Sequence, residues 1–485
     1  MIRIGLRSPV VARFYQGLSK LRHMCGRDAG AFHGTRLVTQ HGVLPLLGLG
    51  LLMVSTAGAL TPNQFTWSQN GHYWLKNGAP FITIGYNRYD VWNPSDPANE
   101  GLTTTQYVQR MSQYGVNVIR VWAEQGDPVY SPNFWLEDPA GTYDSSQISR
   151  LDELFNAADQ YGVYVEICPW DTWNIKNNFQ DFPYNTANGG MISSPAAMIT
   201  NPTARQYIKN KIQFIYGRWG AHPSFFLWTF NEINTLDTNN TDQLNFAQDI
   251  GNYIKSIDPY HPFTISYTGS GQGYVPLEQL SQIGGSDIHF YGAISGTGSV
   301  AKEYNTAINI KYLDCCGKPL LLTEWGDTTK YNQIDIVNAT NWGAIPIGLS
   351  GNGMIWTDQS KWGPVTIADL QLMHNLSNFT ASINWSTFMD SDNANSSVST
   401  SSHGVAPYAC KDATQAIVLL VASVGNSTAT TLTVNGLQAS HSYTIDIWQT
   451  YNYGKYGSVI ASTNSSGQLI WNSPNIATMQ ALYIH

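Results

Sequence analysis

One pattern constrains the fold of this chain more than any other: a short apolar run followed by a helix-length amphipathic segment, eight times over. The runs occupy residues 81–86, 116–122, 163–169, 225–230, 263–267, 287–291, 320–324 and 353–356. Segments such as 104–114, 146–161, 203–216 and 242–256 carry helical periodicity between them. Continuously apolar runs suit strands buried on both faces, as in a parallel sheet. Eight such strands alternating with helices over about three hundred residues predict an α/β chain with a (β/α)8 TIM barrel, assigned to residues 61–383. An open doubly wound sheet is the alternative, but no glycine-rich phosphate loop follows the first strand. Ahead of the barrel, Phe65-Thr66-Trp67 and Tyr73-Trp74-Leu75 flank Gln69-Asn70-Gly71, a hairpin signal.

From about Asn384 the grammar changes. Residues 390–403 are rich in Ser, Asn and Asp and read as a linker. Then β-rich runs at 416–424, 428–434, 442–450, 457–462, 468–471 and 481–484 alternate with turn residues, which predicts a small antiparallel β-sandwich within 384–485. Such a domain would bind polysaccharide or, more simply, cover one side of the barrel.

The first sixty residues read as a leader. Arg3, Arg7, Arg13, Lys20, Arg22, Arg27 and Arg36 are basic, residues 43–60 are almost wholly apolar, and Ala57-Gly58-Ala59 offers a small-residue cleavage site. The expected outcome is a secreted protein with a cleaved signal; an uncleaved leader would instead anchor it in a membrane. Cysteines are sparse, with Cys315 or Cys316 bridging to Cys410 as one pairing open to the chain. Sequons begin at Asn239, Asn338, Asn375, Asn378, Asn384, Asn395, Asn426 and Asn464. A net charge of −8 argues against nucleic acid as a partner, because phosphate binding needs clustered Lys and Arg.

The chemistry sits at strand ends. Phe225-Phe226-Leu227-Trp228-Thr229-Phe230 runs straight into Asn231-Glu232, and Pro319-Leu320-Leu321-Leu322-Thr323 runs into Glu324-Trp325-Gly326. A carboxylate ending a buried strand is costly unless a site uses it. In a barrel the strand C-termini converge on one face, so two such carboxylates can face each other. That is the arrangement glycoside hydrolysis requires, with Glu232 expected as acid/base and Glu324 as nucleophile. Asn231 would bond the sugar 2-hydroxyl, and Tyr291 would hold Glu324. His289 lies two residues before Tyr291 and so points the same way. Arg120 would keep a neighbouring carboxylate ionised. Trp356, ending the eighth strand, would floor the cleft, with Trp122, Trp170, Trp173 and Trp325 as further cleft candidates. Glu166, inside the third strand, reads as a satisfied buried acid or as a group that supports the site from behind. Asp171 and Asp327 are alternatives to the main pair, and His222 belongs to the opposite, stabilising face. No metal-ligand spacing occurs, and no cofactor is expected.

Together, Arg120, Trp228-Thr229-Phe230-Asn231-Glu232, His289 with Tyr291, Leu322-Thr323-Glu324-Trp325-Gly326 and Trp356 resemble glycoside hydrolase family 5 of clan A. The resemblance runs from about Phe65 to Asn375. It implies a retaining endo-β-1,4-glycanase acting on β-mannan or β-glucan, with polysaccharide as the partner. Val121-Trp122 and Pro169-Trp170-Asp171-Thr172-Trp173 resemble the endo-β-mannanase pattern, whereas family cellulases carry a third-strand histidine that this chain lacks. An exo-acting β-glycosidase and a non-catalytic carbohydrate-binding barrel are the rival readings.

Overall fold

The computed structural model describes residues 60–68, 71–125, 134–268, 274–291, 299–312, 316–326, 332–356, 365–388, 392–423, 427–451 and 454–485. The expected leader, 1–60, lies outside them but for its last residue, so its cleavage or anchoring is untouched by the fold. Among the described residues no helix is long and apolar enough to cross a membrane.

The chain opens with three short antiparallel strands, β1 (Phe65–Trp67), β2 (Trp74–Lys76) and β3 (Ala79–Phe81). Asn77 and Gly78 both take positive φ between β2 and β3, the two-residue turn that matches strand twist. Phe65, Trp74 and Phe81 pack with Val118, Phe226, Leu227, Leu321 and Met354. These last five sit on the strands of the barrel and its closing stave, four of them near the strands' N-terminal ends, so the small sheet caps the bottom of the barrel. The expected strand 81–86 is therefore corrected: Phe81 ends β3, and the barrel strand is β4 (Gly85–Asn87). A continuous apolar run conceals the point where the chain leaves one sheet for another.

Six further strands run parallel to β4: β5 (Val118–Trp122), β6 (Tyr164–Cys168), β7 (Phe225–Phe230), β8 (Phe263–Tyr267), β9 (Ser286–Tyr291) and β10 (Leu320–Gly326), in consecutive order. Residues 350–356 close the ring as the eighth stave. They bridge β10 through Trp325–Ile355 and the first strand through Thr83–Gly351 and Asn87–Trp356. Nearly every strand residue is buried because helices cover the outside. Helix Ser145–Tyr161 illustrates the cause: Gln147, Leu151, Leu154, Phe155 and Ala158 recur at three- and four-residue spacing on its inner face. Asp144 caps its start and Gly162, in the left-handed region, ends it.

The C-terminal region holds β11 (Asp392–Asn393), β12 (Val398–Thr400), β13 (Val405–Lys411), β14 (Ala416–Ala422), β15 (Thr431–Val434), β16 (Ser442–Gln449), β17 (Lys455–Ser462), β18 (Leu469–Asn472) and β19 (Met479–Ile484). They form a six-stranded sheet, β11-β13-β14-β19-β16-β17, and a three-stranded sheet, β12-β15-β18. The expected linker 390–403 is thus partly strand, because Val398 is buried and pairs with Val434 beneath a polar outer face. The two sheets share a core containing Leu420, Leu432, Val434, Ile445, Leu469 and Leu482.

The other face of the larger sheet joins the barrel's core through Ile417, Leu419, Val421, Trp448 and Tyr483. Asn338 Nδ2 donates to Thr450 Oγ1 at 3.0 Å and Asn375 Nδ2 to the Gln449 carbonyl at 2.8 Å, pinning helices Gln333–Gly343 and Ile367–Ala381 to this sheet. Both amides are buried in these bonds, so these two sequons are corrected: folded protein presents neither Asn338 nor Asn375 for glycosylation. Trp448 packs edge-on to Phe379 at 5.5 Å across the same seam. Trp448→Ala is expected to destabilise the protein by about 3–5 kcal/mol, read from denaturant midpoints, because the barrel helix cannot collapse onto the cavity. Cys316 and Cys410 are not bridged to each other, and the Cys410 Sγ instead points at the Ile345 carbonyl, 3.6 Å away. Cys315 lies outside the described residues.

Candidate active site

β7 is buried along its whole length and apolar but for Thr229, and after Phe230 the backbone turns sharply. Glu232 sits in the left-handed region at φ 38°, ψ 59°. A non-glycine residue pays roughly 1–2 kcal/mol for this conformation, and such strain concentrates at functional sites. Two contacts hold the turn. The Glu232 N–H donates to Ser266 Oγ at 2.9 Å, and Thr172 Oγ1 donates to the Asn231 carbonyl at 2.7 Å. On β10 the register against β9 shifts between Leu322 and Glu324, a bulge that sets Glu324 opposite His289. Both carboxyl groups therefore enter the barrel mouth, and ligand-capable atoms of Glu232, His289 and Glu324 all lie within 4.8 Å of one another.

Arg120 on β5 is fully buried and organises the floor. Its Nη1 donates to Glu324 Oε1 at 2.6 Å, Nη2 to Asn231 Oδ1 at 2.5 Å, and Nε to Glu166 Oε1 at 3.1 Å. Tyr291 Oη donates to the other Glu324 oxygen at 2.7 Å. His289 Nδ1 lies 2.9 Å from Glu232 Oε1 and 3.2 Å from Glu324 Oε2, while its Nε2 faces Arg120 Nη2 at 3.5 Å. Arginine can only donate, so the ring proton is assigned to Nδ1, between the two carboxyls.

Burial pushes the Glu232 carboxyl up to about 7, opposed by a hydrogen bond from Thr268 and by the more distant Arg120 charge. Burial also raises Glu324, against the pull of His289, Arg120 and Tyr291 and with a push from Glu232. Burial lowers His289 to about 4, so near neutrality the imidazole is uncharged; its Nδ1–H donates to Glu232 Oε1 and brings Glu324 no cation. Arg120 is then the charge that counts. It touches Glu324 and not Glu232, so Glu324 ionises first and Glu232 keeps its proton. The trio of Glu232, His289 and Glu324 is the group among the described residues spaced closely enough to hold a metal ion. A divalent ion there would sit beside the Arg120 guanidinium and be repelled by it.

The aromatic residues divide. Trp356 is half-buried and stacks on Tyr89 with planes 5° apart and centroids at 4.9 Å, and Trp122 leans on both. Tyr89 was not anticipated; it lies two residues past the end of β4, whereas Trp356 was singled out for ending its own strand. Trp173 is 53% exposed on a short helix whose first residue, Thr172, touches Asn231. Trp170 and Trp325 are corrected. Trp170 is 2% exposed, with Phe230 on one side and the Lys211 ammonium 5.2 Å from its ring. Trp325 is buried edge-on to Tyr304, because the residue after an inward Glu324 faces the helices. Asp171 caps the helix Thr172–Asn177, and its second oxygen accepts from Asn174 Nδ2 at 2.5 Å. His222 pairs with Asp159 at 2.7 Å just before β7, and Asp327 lies outside the described residues.

A family model described as cellulase, glycosyl hydrolase family 5, matches residues 74–357. The chain is 25% identical over 308 residues to mannan endo-1,4-beta-mannosidase 1 of Arabidopsis thaliana, covering 54% of this chain and 72% of that one. It is 24% identical over 369 residues to mannan endo-1,4-beta-mannosidase A of Aspergillus aculeatus, covering 69% and 94%. Among solved structures, a glycoside hydrolase family 5 protein of Bacteroides vulgatus aligns with a TM-score of 0.59 at 14% identity, covering 87% of this chain and 93% of that one. At that identity the likeness speaks for the fold alone.

Proposed function

Since the chain belongs to glycosyl hydrolase family 5 and is therefore an O-glycosyl hydrolase, we propose that it is an exported, retaining endo-β-1,4-mannanase. One observation carries the stereochemistry: oxygens of Glu232 and Glu324 approach within 4.8 Å. Retaining pairs sit roughly 5–5.5 Å apart, whereas inverting pairs leave about 6.5–9.5 Å for a water. In the proposed cycle Glu232 gives its proton to the glycosidic oxygen as a Glu324 oxygen bonds to the anomeric carbon. The leaving sugar departs with that proton. Water then attacks the glycosyl ester, losing a proton to Glu232 and releasing Glu324. Two inversions return the β-anomer.

Asn231 Nδ2 already donates to Thr172 Oγ1 at 3.3 Å, and its second hydrogen remains for a sugar hydroxyl. Trp356, backed by Tyr89 and Trp122, offers an indole face on which a sugar ring can stack. Mannan as the substrate rests on the curated relatives together with the missing third-strand histidine, and export rests on the basic and apolar leader.

Products from glucomannan, galactomannan, carboxymethylcellulose, lichenan and xylan test this reading. Mixed manno-oligosaccharides whose first-formed anomer is β are expected. Oligosaccharides from carboxymethylcellulose or lichenan alone would make the enzyme an endoglucanase, and monosaccharide alone would make it exo-acting. Tyr291→Phe gives a finer check. It removes a hydrogen bond to a charged group, worth roughly 1.5–3 kcal/mol, so kcat/KM falls about ten- to a hundredfold. The lost donor had favoured ionised Glu324, so the acidic limb of the pH profile moves to higher pH.

A further inference from the structure

Beneath the catalytic pair lies a second set of acids that the proposed cycle does not use. Glu166 on β6 and Asp287 on β9 point into the barrel and are buried. Hydroxyl groups join them. Thr229 Oγ1 donates to Glu166 Oε1 at 3.0 Å and contacts Thr264 Oγ1 at 2.9 Å. Thr264 Oγ1 reaches Asp287 Oδ2 at 3.4 Å, and Thr323 Oγ1 donates to Asp287 Oδ1. This belt crosses five adjacent strands, β6 to β10. Above it, Glu166 accepts from the Nε of the same Arg120 whose Nη atoms hold Glu324 and Asn231.

We propose that Glu166 is a positioning residue for the reaction at Glu324, acting through Arg120, and that it does so as a neutral carboxylic acid. The inference rests on the assignment of Glu324 as the nucleophile.

Charge and geometry carry it. Among the described residues, four acids, Glu166, Asp287, Glu232 and Glu324, share the barrel interior with one permanent cation, Arg120. Among the described residues, the other titratable groups beside Arg120 are Cys168, on the strand of Glu166, and His289 on β9. Burial pushes the Cys168 thiol well up and His289 down, so at neutral pH the thiol adds no negative charge and the imidazole no positive charge. An ionised Glu166 would compete with Glu324 for the guanidinium. Its Oε2 is buried with no hydrogen-bond partner among the described residues, a situation costly for a carboxylate and milder for an acid. Consistent with this, burial first and Asp287 second push the Glu166 carboxyl up to about 8, against Arg120 and Thr229. A neutral Glu166 still accepts from Nε through its carbonyl oxygen. It fixes the plane of the guanidinium while leaving the positive charge to Glu324.

Glu166→Gln and Glu166→Leu in the full-length enzyme test this, with pH profiles of kcat/KM and infrared spectra. Glutamine keeps a neutral acceptor, so the variant should retain most of the activity and the same acidic limb. Leucine removes the acceptor and frees Arg120 to tilt, so kcat should fall by about a hundredfold with little change in KM, as ångström-scale misplacement does. At neutral pH the wild-type carboxylic C=O absorption should weaken in Glu166→Gln.

An acidic limb that moves to lower pH in the glutamine variant would mean that Glu166 had been ionised, and the proposal would be wrong. Wild-type kcat in the leucine variant would equally overturn it. If leucine prevents folding, the glutamine profile and the infrared band decide. The infrared band reads the protonation of Glu166 without turnover, so a wild type inactive on every glycan would sink the substrate reading and leave this test intact.

Discussion

Glu324→Ala is expected to lower hydrolysis by a factor on the order of 10⁵, comparable to the loss of a nucleophile in other covalent mechanisms. The site offers no substitute. Arg120 and Tyr291 each spend a hydrogen bond on a separate Glu324 oxygen, and the bulge in β10 aims that one residue at the mouth. Glu232 cannot take over, because it must carry the proton that the leaving oxygen needs. The cavity left by the carboxylate is bordered by the Arg120 cation, so a small anion such as azide should enter it. Attack from that side in place of Glu324 would yield the α-glycosyl azide and partial recovery of turnover on an activated substrate. A variant within about tenfold of wild type would instead mean that another residue attacks, since tenfold is only about 1.4 kcal/mol of barrier.

Glu232→Gln should cost about 10²–10⁴-fold on a natural glycan, the usual worth of general acid–base catalysis. The loss should depend on the leaving group. A glycoside with an acidic phenol departs without protonation, so its first step should be nearly spared while release of the glycosyl-enzyme becomes limiting. Burst kinetics would report that change. The wild-type pH profile follows from the same carboxyl: pushed up to about 7, Glu232 is protonated below that pH and loses its proton above it. Activity on natural substrate should therefore decline as pH rises through about 7. His289 is not the source of this limb, because it is already neutral above about 4. A basic limb that stays at the same pH in the residual hydrolysis of natural glycan by Glu232→Gln would reassign the acid.

Much of this architecture was legible in the chain because burial on both faces leaves an unmistakable apolar run. The runs ending at Phe230 and Leu322 gave the two strands, and a carboxylate at the end of each gave the pair. The convergence of Arg120, His289 and Tyr291 followed from barrel geometry rather than from any local signal. What remained hidden was phase and context. The bulge at Thr323 and the left-handed Glu232 are set by tertiary contacts with β9 and Ser266, which no short stretch of sequence encodes. Strand alternation would have sent Trp325 outward, but adjacency to a catalytic carboxylate made it look like a cleft residue. Val398 was masked by its polar neighbours, since an edge strand buries only every other side chain. Asn338 and Asn375 fit a glycosylation motif perfectly well in sequence, and only the sheet packed over them excludes it.

Phe65, Trp74, Phe81 and Phe226 seal the end of the barrel opposite the cleft. Bulk water would therefore exchange protons with Glu166, Glu324 and Glu232 from the cleft side, and a bound glycan would stopper that side. The protonation pattern present when substrate arrives would then be the pattern used in the first displacement, until the leaving sugar departs and water enters. Titration would be a property of the empty enzyme, visible in kcat/KM and muted in kcat. The aromatic cap, remote from the cleft, would in this way make the barrel a vessel with a single opening, committed to one proton inventory until the leaving sugar departs.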